Sequence, residues 1–170
     1  MQDVPDNLRR LAIEIDGWLD FDQPDKALER VGPLLEVPEA RPIGLALRIR
    51  ARVALGDYLK ALSDIEEART FSGDSEWVDV TEAWCLKRSG DLPGAAEQMR
   101  KLLARDPKSA IGHYNLGCYL ALLGQTQEAL DKISIACGLE ESYRKAARAE
   151  SDLGSLREMP EFQKLIGEGG

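Results

Sequence analysis

The sequence predicts an all-α fold assembled from repeated pairs of helices. The first observation is a period: ALGDYLKAL, RSGDLPGAA and LLGQTQEAL align without gaps, and their glycines, Gly56, Gly90 and Gly124, lie 34 residues apart. The second is an apolar spacing of three and four residues, which places those side chains on one face of a helix. The third is that no segment shows strand-like alternation of useful length. Together these observations indicate a helical repeat protein.

Other small residues keep the same period. Each glycine is followed five residues later by an alanine, namely Ala61, Ala95 and Ala129, and one period earlier Asp22 and Ala27 occupy the same places. A 34-residue period with this pattern resembles the tetratricopeptide repeat, a helix–turn–helix unit. The fourth unit resembles that family most closely, at Asn115-Leu116-Gly117, Gly124, Ala129, Ile133 and Ala136. The second unit departs from the family pattern at Arg48, where leucine is usual.

The resemblance implies a right-handed α-solenoid of helix–turn–helix repeats that ends in a C-terminal helical cap, within a single domain over residues 1–170. The repeats are expected near 8–41, 42–75, 76–109 and 110–143, and the capping segment over 144–167. Their helices are expected near 8–20, 24–36, 42–55, 58–70, 76–89, 92–104, 109–123 and 126–138.

Turn residues support these bounds. Each glycine of the period is predicted to end the first helix of its repeat, because a left-handed backbone costs glycine little. Asp57 and Asp91 follow two of these glycines and are predicted to cap the next helix. Pro24 and Pro93 fall near the first turn of a helix, where proline is tolerated. The recurring alanines allow the two helices of a repeat to approach closely.

The last part of the chain departs from the repeat. Its segment DLGSLREMPEFQKLI follows a short helix expected at 142–149, and Pro160 is expected to begin another. A terminal repeat exposes its apolar face unless something covers it. The tail is therefore predicted to be a cap, through the apolar residues Leu153, Leu156, Phe162, Leu165 and Ile166.

Charge and composition exclude several classes of partner. The net charge is −8, whereas phosphate binding needs a basic face, so nucleic acid is not an expected ligand. No apolar run approaches the roughly 20 residues of a membrane-spanning helix, and the amino terminus lacks a signal-type apolar stretch. A cytoplasmic protein is expected. The three cysteines, Cys85, Cys118 and Cys137, are expected to be reduced and largely buried.

The sequence offers no recognisable catalytic or metal-binding motif. Its one histidine, His113, occupies a place where the family prefers a bulky aromatic residue, so it is expected to be a packed ring. The cysteines lack the spacing of a zinc site, and GDLPGAAE is no phosphate-binding loop because no GK[ST] follows. We predict that the protein is not an enzyme and has no catalytic residues, no metal and no cofactor.

The register predicts a binding groove. In the family the first helix of each repeat lines the concave face, so here the groove side of the first two repeats holds Arg9, Ala12, Asp16, Leu19, Ile43, Ala46, Arg50 and Val53. Aromatic residues and arginine dominate interface energetics. The candidate partner-binding residues are accordingly Arg50, Trp77, Val80, Trp84, Lys87, Arg88, Ile111, Tyr114, Asn115 and Cys118.

These residues leave alternatives open. In one, a protein or peptide partner lies in the groove, and the basic edge formed by Arg50, Lys87 and Arg88 favours an acidic or carboxylate-bearing segment. In another, the tail at 150–167 fills part of the groove, above all beside Tyr114. In a third, the chain is a structural subunit that associates with a second copy, so that a homo-oligomer is possible. The predicted function is an adaptor, scaffold or assembly factor that acts through protein–protein interaction.

One helix departs from the family pattern. In SEWVDVTEAWCLKRSGD, Trp77 and Trp84 face the predicted groove, while Asp79 and Glu82 occupy positions that are usually apolar. Two outcomes are expected as alternatives. Either the helix is rolled so that the tryptophans share in the core, or the charged residues lie at a frayed and solvated edge.

Overall fold

A computed structural model describes residues 4–167 of the chain, which are helical with short connections and include no β-strand. The elements follow in the order α1 (Asp6–Asp20), α2 (Pro24–Arg30), α3 (Gly32–Glu36), α4 (Arg41–Ala54), α5 (Tyr58–Ser72), α6 (Glu76–Arg88), α7 (Leu92–Arg105), α8 (Ala110–Leu122), α9 (Thr126–Leu139), α10 (Ser142–Ala149), a 3₁₀ helix (Ser151–Leu156) and α11 (Pro160–Ile166). The all-α helical repeat fold predicted from the sequence is confirmed.

Helix pairs recur with the predicted turns between them. Gly56, Gly90 and Gly124 have φ angles of 76°, 97° and 78°, and Asp22, at the same place in the first repeat, has a φ of 54°. The turn therefore keeps its left-handed geometry without glycine, which aspartate tolerates better than most residues. The alanines that follow at the fifth position are all buried, as expected for closely packed helices.

Two local expectations need correction. The segment 24–36 is not one helix: it divides into α2 and α3 around Val31, because Pro33 has no backbone N–H to continue the hydrogen-bond ladder. Asp91 caps α7 as predicted, since its Oδ1 accepts a hydrogen bond from the Gly94 amide at 2.9 Å. Asp57 makes no side-chain cap; its carboxylate instead accepts a bond from Lys60 Nζ at 2.9 Å.

The chain divides into two compact units. The amino-terminal unit ends at Val78 and the carboxyl-terminal unit begins at Asp79, within α6. A single domain over residues 1–170 stays a prediction. Each unit has its own apolar core: that of the amino-terminal unit includes Leu8, Ile15, Leu34 and Leu47. The core of the carboxyl-terminal unit draws on α6 to α11 and on the 3₁₀ helix.

Close helix packing is clearest in the fourth repeat. A Cβ at Gly117 of α8 would lie 2.7 Å from side-chain atoms of Ile133 of α9, so glycine is the residue that allows this approach. The end of the chain packs on the same repeat, with Leu153, Leu156 and Phe162 fully buried in that core. The tail thus makes the apolar contacts expected of a cap.

Arginines of α10 hold the last helix in place. Arg144 Nη1 donates to the Leu165 carbonyl at 2.6 Å, and Arg148 Nε donates to the Ile166 carbonyl at 2.5 Å. Both carbonyls belong to the last turn of α11, which has no intrahelical donors for them. Within residues 4–167, none of the helices has the length and apolar character needed to cross a membrane.

Candidate interaction surfaces

A cavity opens on the face of the amino-terminal unit between α1 and α4. Its volume is about 590 Å³. The lining residues are Arg9, Ala12, Ile13, Asp16, Pro42, Ile43, Ala46, Leu47 and Arg50. Most of them are the groove positions that the repeat register assigns to the first two repeats.

Small side chains create this cavity. Ala12 and Ala46 occupy the same register position in consecutive repeats, and the next two residues at that position are Val80 and Tyr114. An alanine leaves space that a valine or a tyrosine fills. At the mouth of the cavity, Ile13 leaves 73% of its surface exposed. Ile13 thus adds an exposed aliphatic side chain to the lining of the cavity.

Charged residues at the rim are already paired. Arg50 contacts the carboxylate of Asp16 and also donates through Nη2 to Asp20 Oδ1 at 3.2 Å. Arg9 Nη2 lies 2.8 Å from Asp6 Oδ1, one helical turn away. Because both carboxylates around Arg50 belong to α1, its positive charge is compensated within the unit.

The equivalent face of the carboxyl-terminal unit is covered by the chain's own tail. Tyr114 and Cys118 of α8 are 7% and 3% exposed. The 3₁₀ helix packs against α8, and Ser155 Oγ donates to the Ala121 carbonyl at 3.2 Å. Tyr143 of α10 stacks on Tyr114 with 4.6 Å between ring centroids. A partner can reach Tyr114 and Cys118 only if the tail moves away from α8. The role of these two residues in binding therefore stays a prediction.

An exposed basic and aromatic group remains on α6. Trp84 is 41% exposed, and the centroid of its ring lies 5.6 Å from Lys87 Nζ and 5.7 Å from the Arg88 guanidinium carbon. Lys87 also pairs with the carboxylate of Asp152 in the 3₁₀ helix. The structure therefore brings three of the predicted residues together. It also places one of the two cations of this group against an acidic residue of the tail.

The other candidate residues are more dispersed. Val80 is partly buried and packs on the core of the carboxyl-terminal unit. Ile111 and Asn115 on α8 are half-buried. Arg50 and Trp77 belong to the amino-terminal unit, where Trp77 remains 43% exposed near the start of α6.

The unusual charge on α6 is resolved in a way that neither sequence alternative describes. Asp79 is fully buried rather than frayed. Its carboxylate accepts a hydrogen bond from Gln98 Nε2 at 2.7 Å and pairs with Arg105, both on α7. Charge-assisted hydrogen bonds of this kind compensate the removal of a carboxylate from water.

The second repeat uses the same arrangement with the partners exchanged. Asp64 on α5 is 3% exposed, and its carboxylate receives hydrogen bonds from Arg48 Nε at 2.9 Å and Arg48 Nη2 at 2.6 Å. Arg52 Nη1 lies 2.7 Å from Asp64 Oδ2. This explains why Arg48 stands where the family usually has leucine. No local sequence pattern signals such a pair, because its members lie on different helices.

Buried cysteine and tyrosine side chains of the carboxyl-terminal unit are held in their neutral forms. Burial raises the pKa of the Cys85 thiol to about 11, with a smaller contribution from the nearby Glu82 carboxylate. Burial likewise raises the pKa values of Cys118 and Tyr119 above their usual ranges. Because the thiolate is the nucleophilic form of cysteine, Cys85 and Cys118 are poor nucleophiles near neutral pH.

In the described part of the chain, the histidine and the acidic and cysteine side chains form no arrangement typical of a metal site. His113 is buried, and its Nε2 lies 3.0 Å from the Pro107 carbonyl. Among residues 4–167, no group of three or more histidine, cysteine, aspartate or glutamate side chains has the arrangement to hold a metal ion.

Comparisons with known proteins agree with this architecture. The family model described as Tetratricopeptide repeat matches residues 99–131. The segment 41-end of MamA from Desulfovibrio magneticus RS-1 has a similar structure, with a TM-score of 0.73, 17% identity and coverage of 96% of this chain and 95% of that one. A second similar structure is YrrB, described as a TPR protein with an unusual peptide-binding site. Its TM-score is 0.66 at 14% identity, over 94% of this chain and 80% of that one.

A search of curated protein sequences gives no match. The family match falls on the second half of α7, on α8 and on the first half of α9. It includes most of the fourth repeat, which resembles the family pattern most closely. The identification of tetratricopeptide repeats in this chain is thus confirmed, and its fold is that of tetratricopeptide repeat proteins.

Proposed function

We propose that the chain is a non-catalytic protein-interaction module that binds a segment of a partner protein in the cavity between α1 and α4. The observation that carries this proposal is the contrast between two equivalent faces. The cavity of about 590 Å³ lies open in the amino-terminal unit, whereas the chain covers the corresponding face of α8 with its own residues.

The chemistry of the cavity suits a protein segment. Its floor is aliphatic, from Ala12, Ile43, Ala46 and Leu47, and its rim carries charged side chains. An apolar centre with a polar rim is the usual anatomy of a protein interface. The description of YrrB as a peptide-binding TPR protein is in keeping with this assignment.

The exposed group around Trp84 is a second contact region in this proposal. Trp84 and Arg88 are residue types that contribute strongly to binding, and both are exposed. An acidic or carboxylate-bearing partner would meet the basic side chains of Lys87 and Arg88 beside the Trp84 ring here.

Selection of peptides tests the proposal directly. A random peptide library is panned against the whole protein, and the selected peptides are assayed by fluorescence anisotropy with wild type and with Ile13→Glu. The new carboxylate stands at the cavity mouth, so we expect binding to weaken about tenfold or more, equivalent to about 1.4 kcal/mol.

Leu59→Glu is the matched control. Leu59 lies on α5 of the same unit, is 75% exposed and does not line the cavity. Both substitutions replace an exposed aliphatic residue by glutamate, so neither should change the melting temperature appreciably. Peptides that bind both variants equally well would overturn the assignment of the cavity.

Self-association is the competing use of the same surface. Light scattering over a hundredfold dilution measures the mass directly. A dimer that dissociates in Ile13→Glu but not in Leu59→Glu would make a second copy the occupant of the cavity, instead of a different protein. A constant monomer mass would remove that alternative.

A further inference from the structure

We infer that a second cavity, between α9 and α11 of the carboxyl-terminal unit, binds a free amino acid with an aliphatic side chain. Its volume is about 450 Å³, which is within the range of small-molecule sites. Helix α10 packs against both α9 and α11 and contributes Arg144 to the lining. This inference goes beyond the proposed function, because it assigns a small ligand to the other unit.

The carboxylate of the ligand has a partner in Arg144. This side chain is half-buried, and its Nη1 donates to the Leu165 carbonyl at 2.6 Å. Among residues 4–167, no carboxylate forms an ion pair with Arg144. A neutral carbonyl compensates a full positive charge only in part. The guanidinium also keeps further N–H donors, in the planar arrangement that matches a carboxylate.

The cavity between α1 and α4 differs on this point. There Arg9 pairs with Asp6, and Arg50 pairs with Asp16, so carboxylates of α1 already compensate both arginines. At the second cavity the half-buried cation has no such partner within the described residues. A carboxylate from outside the chain therefore completes the charge of Arg144.

The ammonium group of the ligand has two acidic partners. Asp131 of α9 and Glu161 of α11 line the cavity from its two walls. Within the described residues Glu161 has no ion pair, and Asp131 Oδ1 lies 3.5 Å from Gln127 Nε2, at the outer limit of a hydrogen bond. Lys164 lines the cavity as well. The lining thus carries both signs of charge, which suits a zwitterion better than a simple anion.

The apolar part of the lining fits an aliphatic side chain. Leu130 of α9 is buried and Leu165 of α11 is half-buried, and both line the cavity. An aliphatic group placed there removes apolar surface of both leucines from water. A few polar groups beside apolar surface are typical of small-molecule sites. Leucine is therefore the appropriate probe.

Titration of the whole ¹⁵N-labelled protein with L-leucine tests this inference. We expect saturable changes in amide chemical shift centred on Asp131, Arg144 and Lys164. Leucinamide lacks the carboxylate and 4-methylpentanoate lacks the ammonium group, so each should bind about tenfold more weakly or worse. The inference is overturned if leucine gives no saturable shift up to about 10 mM, or if leucinamide binds as tightly as leucine.

Variants of the protein assign each charge to its partner. Asp131→Asn should weaken leucine binding about tenfold, whereas Asp25→Asn, at an exposed position on α2, should leave it unchanged. Equal affinity of Asp131→Asn and wild type would contradict the proposed ammonium site. Arg144→Gln should abolish binding, but it also loses the bond to the Leu165 carbonyl. If that variant melts early, the comparison of leucine with leucinamide on the wild type decides the role of the carboxylate.

N-acetyl-L-leucine separates a free amino acid from the end of a peptide chain. It keeps the carboxylate and the aliphatic side chain but has no ammonium group. Binding as tight as that of leucine would mean that the cavity takes a chain end, and this would overturn the inference. Ile13→Glu should leave leucine binding unchanged, because Ile13 belongs to the amino-terminal unit. Failure of the amino-acid site therefore leaves the proposed function standing, and the reverse also holds.

Discussion

The two units differ at one position of the repeat that decides whether a face is open or filled. In the amino-terminal unit this position is Ala12 and Ala46, and a cavity lies beside them. In the carboxyl-terminal unit it is Val80 and Tyr114, which pack into the core, and Tyr143 stacks on the tyrosine. The same arrangement of helices therefore leaves a cavity or a packed face, according to the volume of the side chain at this position.

The comparison shows that equivalent positions of a repeat protein can have different roles, in packing at one repeat and beside an open cavity at another. Terminal repeats need a cover for their apolar faces, and the carboxyl-terminal unit obtains it from the 3₁₀ helix and α11. The amino-terminal unit keeps its aliphatic residues beside the cavity, with Ile13 at the mouth. We therefore expect the carboxyl-terminal unit to depend on its tail for stability, and the amino-terminal unit to depend on its cavity for binding.

The largest expected effect concerns the tail. Phe162→Ala removes a fully buried ring from the carboxyl-terminal core, and we expect it to lower the free energy of unfolding of that unit by about 3–5 kcal/mol. Urea denaturation followed by circular dichroism measures the loss. Phe21→Ala is the matched control, because Phe21 is mostly exposed and its truncation should cost less than about 0.5 kcal/mol.

Cysteine labelling confines this measurement to one unit. Cys85, Cys118 and Cys137 are all buried and all belong to the carboxyl-terminal unit. Burial raises the pKa of each thiol, so labelling of the native protein at pH 8 should be slow. Phe162→Ala should accelerate labelling about a hundredfold or more, because the lost stability lowers the free energy of the opening that exposes the thiols. Unchanged labelling would show that the tail is not part of the fold of this unit.

An intermediate effect is expected at the buried charge pairs that both units contain. Arg48→Leu restores the residue usual in the family, yet it removes two hydrogen bonds to the buried carboxylate of Asp64. We expect a loss of about 1.5–3 kcal/mol in the free energy of unfolding, the contribution of hydrogen bonds to charged groups. Thermal and urea unfolding of the variant measure it.

A double substitution separates the pair from simple packing. Arg48→Leu with Asp64→Leu replaces the buried carboxylate and one of its two arginines by apolar residues, an exchange that is often neutral or stabilising. The second arginine, Arg52, keeps its hydrogen bond to the Lys60 carbonyl at 2.9 Å. The double variant should therefore regain most of the stability lost in Arg48→Leu. If Arg48→Leu alone is as stable as wild type, the pair contributes nothing and the comparison between Asp64 and Asp79 loses its basis.

Much of the fold could be predicted because the turns of a repeat are local. The period located the turns, at which Gly56, Gly90 and Gly124 are left-handed as predicted and Asp22 adopts the same geometry, and the alanines located the close contacts between helices. The burial of Asp79 could not be predicted, because its partners Gln98 and Arg105 lie on the next helix. Nor could the division of 24–36 be read from the period, which carries no information on the missing amide of Pro33.

The candidate site was harder to predict for a different reason. Aromatic and basic residues are favoured at interfaces, and this preference directed the prediction to Trp77, Trp84 and Tyr114. An open site requires unfilled volume, and here the small side chains of alanines leave that volume. Alanine is not a residue type that interface preferences single out. The register did place Ala12 and Ala46 on the groove side. Whether the chain fills the space itself depends on the packing of residues far along the sequence.

The smallest expected effect on stability comes from filling the cavity. Ala46→Tyr introduces at the second repeat the residue that the fourth repeat has at the same position, Tyr114. Because Ala46 is half-buried beside an open cavity, the free energy of unfolding should change by less than about 0.5 kcal/mol. Peptides selected on the wild type should nevertheless bind about tenfold more weakly or worse, because the tyrosine side chain occupies the space that they fill.

Ala146→Tyr is the control, because Ala146 is at an exposed position on α10. This variant should leave both the free energy of unfolding and the peptide affinity unchanged. An Ala46→Tyr protein that binds these peptides with wild-type affinity would show that side-chain volume at this position does not separate the two units.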